Sequence, residues 1–152
     1  MKYRMALILV LGIALFAFAC GKGGAKSTVT SPDPTASAPP PQAADKGIGP
    51  VKALNLGPLD NNLAAQGKKL FDEKCVACHA LARDMAGPAL GAILKKETPE
   101  FVMNMILNPA EMEAKNDTIK KALARFGVPM PALGLSQDQA RAILEYFRTT
   151  AK

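Results

Sequence analysis

Two cysteines three positions apart, followed at once by the chain's only histidine, form the segment Cys75-Val76-Ala77-Cys78-His79. This spacing is the attachment signature of a c-type haem. On a helical turn, positions i and i+3 share a face, so both sulfurs can meet the vinyl groups along one porphyrin edge. His79 is then carried under the ring plane, where its imidazole can ligate iron. The group on the other side of the iron decides between electron transfer and small-molecule binding.

Two other chemistries use the same cysteine spacing. A redox dithiol expects a βαβ setting, and no strand-like alternation flanks this pair. Zinc needs four ligands. The chain has one histidine and three cysteines, and the third, Cys20, lies far away. A zinc set would therefore have to borrow a carboxylate. Haem is the expected cofactor, and zinc and dithiol chemistry stand as its alternatives.

The elements that must position this motif read as helices. Leu63, Gly67, Leu70 and Phe71 form one apolar stripe from Asp60 onward, with Lys68, Lys69, Asp72 and Glu73 on the water side. Gly67 inside a helix costs about 1 kcal/mol against alanine, so it marks a close approach, with Tyr146 or Phe147 as the expected partner. Thr98-Pro99-Glu100 reads as an N-cap, a proline at the first helical position and an acidic first turn. That helix is expected to stop at Pro109. Another opens near Asn116, carries Ile119, Leu123 and Phe126 on one face, and closes at Gly127. Ser136 caps the last, whose stripe is Ala140, Ile143, Leu144 and Phe147. No run reads as a strand, and the fold class is all-α.

The start of the chain has a different character. Lys2 and Arg4 precede an apolar run from Ala6 to Ala19, shorter than the ~20 residues of a spanning helix. Residues 1–19 read as an export signal. Ala17-Phe18-Ala19 is an A-x-A cleavage site, and Cys20-Gly21 is like a lipoprotein box, although Ala17 stands where leucine is usual. Cys20 is the expected lipid anchor; soluble secretion and an uncleaved anchor are the alternatives. Residues 20–59 hold seven of the twelve prolines, among Gly, Ser, Thr and Ala. Such a composition buries too little apolar surface to offset ordering entropy, so it reads as a disordered tether, with the domain proper at 60–152.

From about Asp60 to Lys152 the chain resembles a class I c-type cytochrome. The resemblance rests on the order of a first helix with Gly67 and Phe71, then Cys75-Val76-Ala77-Cys78-His79, then Gly87-Pro88-Ala89-Leu90-Gly91, Met130-Pro131 and a closing helix with Tyr146. It implies about four helices around one covalently bound haem c. Cys75 and Cys78 would form the thioethers, His79 would be the proximal iron ligand, and the Pro88 carbonyl would accept a hydrogen bond from it. Fixing the far ring nitrogen in this way sets the tautomer. The resemblance also implies haem attachment outside the cytoplasmic membrane, which suits export and a periplasmic location. The charged stretch from Glu111 to Lys121 matches no role in the family.

The distal ligand is chosen among five methionines. Met85 is too close to His79 in sequence to reach the opposite face. Met103 and Met105 sit in a helical stretch, where methionine packs. Met112 has polar neighbours. Met130 lies between Pro129 and Pro131, on a stiff, extended backbone. Met130 is the expected ligand; another methionine such as Met112, or an open site, is the alternative.

With both axial positions filled, the expected function is one-electron transfer between redox partner proteins. No acid–base pair or nucleophile calls for an enzyme, and the family's di-haem peroxidases need two attachment motifs. The rival is a haem-based gas-binding or sensor module with a displaceable sixth ligand. The whole chain carries +6, but from Asp60 onward 13 basic and 11 acidic side chains leave only +2. No long basic run points to nucleic acid. Lys68, Lys69, Lys95 and Lys96 could form a docking patch for an acidic partner, or simply a solvated face.

Overall fold

The computed structural model describes residues 44–151. The export signal over 1–19, Cys20, and the tether up to 43 lie outside the described residues. Five α-helices follow one another: α1 (Asn61–Lys74), α2 (Pro99–Leu107), α3 (Pro109–Lys115), α4 (Asp117–Phe126) and α5 (Gln137–Thr150), with a short 3-10 turn at Ile93–Lys95. No strand occurs among the described residues.

Four of these helices start where their caps dictate. The Asp60 carboxylate accepts the Asn62 and Leu63 N–H groups, and Thr98 Oγ1 accepts from Phe101 with Pro99 at the first helical position. The Asn116 side-chain oxygen accepts from Ile119, and Ser136 and Gln139 form a reciprocal capping box. Gly127 ends α4 at φ 72°. The count exceeds the expected four because Pro109 both ends α2 and opens α3, a position where its missing N–H costs nothing.

The main crossing is α1 against α5. Gly67 makes it possible, because a Cβ there would run into the Ala142 carbonyl. The expected aromatic partner is thus corrected: Gly67 meets the backbone of α5. Tyr146 and Phe147 instead pack on Phe71, at centroid separations of 5.6 and 5.7 Å. Around them Val102, Met103, Ile106, Ile143 and Leu144 complete the core.

The tether boundary also needs correction. Residues 45–57 are folded onto the helices, and Val51 is only 2 % exposed. Asn104 on α2 is fully buried; its Nδ2 donates to the carbonyls of Lys46 and Val51 and its Oδ1 accepts the Val51 N–H. Asn108 donates to the Ile48 carbonyl. Met112 was expected in a polar setting, yet it is fully buried, and its sulfur accepts the Ile48 N–H at 2.9 Å. Composition misjudged this arm because its backbone, rather than its side chains, makes most of the attachment. Each buried amide left without a partner would cost about 1–3 kcal/mol, so the arm and α2 need one another.

The far end of the arm meets α5. Glu145 is fully buried, accepts the Asp60 N–H at 2.8 Å, and pairs with Arg141 at 2.9 Å and Arg148 at 2.7 Å. The two guanidinium groups also donate to the carbonyls of Leu56 and Gly57.

Candidate functional site

Downstream of α1 the chain makes one further turn. The N–H groups of Cys78 and His79 both donate to the Cys75 carbonyl, at 3.1 and 2.9 Å. This local closure holds the cysteines and the histidine as a single rigid unit. Cys75 is buried and Cys78 half-buried. Burial, followed by the charge of Cys78, pushes the Cys75 thiol up to about 11. A redox dithiol relies on the opposite shift. Nor do three or more His, Cys, Asp or Glu side chains gather as a metal site among the described residues.

His79 is fixed by the loop that follows it. Its Nδ1 lies 2.9 Å from the Pro88 carbonyl oxygen. A carbonyl only accepts, so Nδ1 carries the hydrogen and Nε2 keeps its lone pair free for a metal. Gly87 packs flat on the imidazole, and any Cβ there would collide with the ring. The loop itself is tied down by the Asp84 carboxylate, which accepts the Ala89 N–H at 2.9 Å and pairs with Arg125 of α4 at 2.6 Å. That ion pair is exposed and contributes at most about 1 kcal/mol.

Cys75, Cys78, His79 and Met130 all line one cavity, which holds about 1130 Å³ between its walls, including space open to solvent. Its lining is overwhelmingly apolar. Phe101, Val102 and Ile106 of α2 and Ile143 and Phe147 of α5 contribute one group of wall residues; Ile119, Leu123 and Phe126 of α4 contribute another. None of the residues of α4 is buried against protein, and its apolar side is the cavity wall. The donor set and the walls fit a large, flat, apolar group carrying a metal at its centre. Two sulfurs can bind its edge, one imidazole nitrogen is free for the metal, and a thioether is available in the same space.

Two contributors escaped the sequence reading. Gly87 was seen within a motif but not as the residue lying against the His79 ring. Glu113 of α3 lines the cavity and accepts the Met130 N–H through Oε1 at 2.6 Å. The only signal for it was two glutamates, Glu111 and Glu113, set two positions apart on a helix and hence on different faces. Of the four docking-patch lysines, Lys68 pairs with Asp72 at 2.6 Å.

Comparison with known proteins gives a consistent picture. The family model described as Cytochrome c matches residues 64–151. Among solved structures, the chain is similar to cytochrome c from Rhodothermus marinus, at 43% identity over 68% of this chain and 90% of that one, with a TM-score of 0.67. It is also similar to an engineered form of that cytochrome bound to a carbene intermediate, at 44% identity, with the same coverage and a TM-score of 0.64. No curated protein gives a significant match.

Proposed function

The chain belongs to the cytochrome c family, as a class I mono-haem electron carrier, and we propose that it works through one haem c bound by Cys75 and Cys78 and ligated by His79 and Met130. The observation that carries this reading is an apolar cavity onto which both cysteines, a tautomer-fixed imidazole and a proline-flanked thioether converge. Each thiol would add across one vinyl group, sulfur bonding to one carbon and hydrogen to its neighbour. The haem supplies a one-electron iron couple. The protein's own residues do the rest. Pro88 holds the His79 ring in the tautomer that presents Nε2, Gly87 lets the loop lie against it, and Met130 offers a neutral sulfur that favours a high potential. With His79 and Met130 as the two axial ligands and mainly apolar walls around them, no vacant position is left for a substrate. The role is that of a carrier rather than an enzyme.

The redox partners would dock where the haem edge is reachable. Val76, Met85 and Val128 are exposed apolar residues on the segments carrying the cysteines, the His79 loop and Met130. We further propose that the export signal read over residues 1–19 directs the protein to the periplasmic side of a membrane, where lipid at Cys20 would hold it. Among the described residues no helix is long and apolar enough to cross a membrane.

Three measurements test this reading. After denaturation and acid–acetone extraction, the haem is expected to stay with the polypeptide, and the reduced native protein to bind carbon monoxide slowly or not at all. Extractable haem would defeat covalent attachment; rapid carbon monoxide binding would favour the gas-sensing alternative. Cys20→Ser is expected to move the protein from the membrane to the soluble fraction, and unchanged fractionation removes the lipid anchor.

A further inference from the structure

We propose that Glu113 is a positioning residue for the axial thioether: its carboxylate fixes the backbone of Met130 and so holds the side chain at the iron. The proposal rests on the His79–Met130 ligation put forward above. Proline has no N–H, so Met130 carries the only backbone donor in Pro129-Met130-Pro131. That donor goes to Glu113 Oε1 at 2.6 Å. Among the described residues it is the only hydrogen bond made by the segment 128–135, which has no regular structure. The two prolines set the shape of the strip, but shape alone does not place it. One charge-assisted bond does.

The carboxylates of α3 divide the work. Glu111 is taken by Lys115 at 2.6 Å and Asn108 at 2.8 Å, on the exposed side. Glu113, about 200° further round the helix, forms no salt bridge among the described residues and turns to the cavity. Its own position is secured from behind. Met112 sits under Gly47 and receives the Ile48 N–H, and Asn116, just beyond α3, donates to Asp45 at 2.7 Å. The arm, α3 and the methionine strip therefore form one continuous support, in which the charged stretch that matched no family role acquires one.

The test uses the holoprotein with Glu113→Ala and Glu113→Gln. Alanine removes the acceptor, whereas glutamine keeps a side-chain oxygen that the Met130 N–H can reach. In Glu113→Ala, exchange of the Met130 amide hydrogen is expected to speed up about tenfold or more, the factor that loss of one such bond carries. The affinity of the ferric protein for imidazole should rise by a similar factor, and the far-red thioether–iron charge-transfer band should weaken. Glu113→Gln should restore most of both. An unchanged amide, band and imidazole affinity in Glu113→Ala overturns the proposal, as does a glutamine variant no better than alanine. A wild-type protein lacking the far-red band sinks the ligation reading and this proposal with it, whereas a wild-type band left intact by Glu113→Ala sinks this proposal alone.

Discussion

Met130→Ala is expected to lower the reduction potential on the order of 0.2 V, within the ~0.8 V span over which axial ligands set haem potentials. The direction follows from the sulfur. A thioether is soft and uncharged, and histidine–methionine ligation favours the reduced iron. Alanine leaves water or an external ligand in its place, and a harder donor favours the oxidised state. Because Cys75, Cys78, His79 and Pro88 lie in a different segment from residue 130, haem content and the His79–Pro88 bond should be untouched. Carbon monoxide should then bind the reduced variant quickly, where the parent resists it. A redox titration with a carbon monoxide difference spectrum checks both effects. An unchanged potential together with an unchanged far-red band would place another donor on the iron. Met103 and Met112 are poor replacements, since both are fully buried in protein packing; Met105, half-buried and lining the cavity, would be the next to examine.

Local signals in the sequence carried most of what positions the haem site. The attachment motif, the caps at Thr98, Asn116 and Ser136, and the stop at Gly127 each depend on a few neighbouring residues, and each lies where its chemistry predicts. The apolar face of Ile119, Leu123 and Phe126 was also legible, although its target was not: periodicity reports which side is apolar, not whether protein or cofactor covers it. What escaped was long-range and polar. Asn104 reads as an ordinary helix residue until residues 46–51, more than fifty positions earlier, deliver their backbone to it. The Pro, Gly, Ser and Thr of the preceding stretch masked Ile48, Val51, Leu54 and Leu56 and made that arm look like a tether, and hydropathy gives no credit to a backbone satisfied by buried amides. Gly67 was recognised as a close approach, but a glycine does not say whether a ring or a carbonyl fills its space. Glu113 was hidden by the same limit, since its partner is a backbone N–H in a loop that no periodicity describes.

Glu145→Ala should cost about 3–5 kcal/mol, the range for breaking a buried ion pair from one side. The substitution takes the acceptor from the Asp60 N–H and the counter-ion from the guanidinium groups of Arg141 and Arg148, whose side chains are 22 % and 19 % exposed and which keep only backbone carbonyls as partners. For a domain of this size the melting temperature should fall on the order of 15 °C, and the denaturant midpoint should drop at constant slope. The acid limb of stability provides a sharper check. Burial alone would push the Glu145 carboxyl up, but the Asp60 N–H, Arg148 and Arg141 together outweigh it and hold the group below the ordinary 4.5. A depressed folded value means that the ionised carboxylate stabilises the fold in full above pH 4.5. That contribution fades as pH falls from there toward the folded value. Glu145→Gln mimics the protonated state at every pH, so the stability gap between parent and Glu145→Gln should be constant near neutrality and narrow below pH 4.5. A gap that stays level or widens in acid would mean the carboxylate is not held ionised by its two arginines. The arm would then be held by its contacts with α2, α3 and Asn116, and the junction of α1, α5 and residues 55–57 would need another explanation.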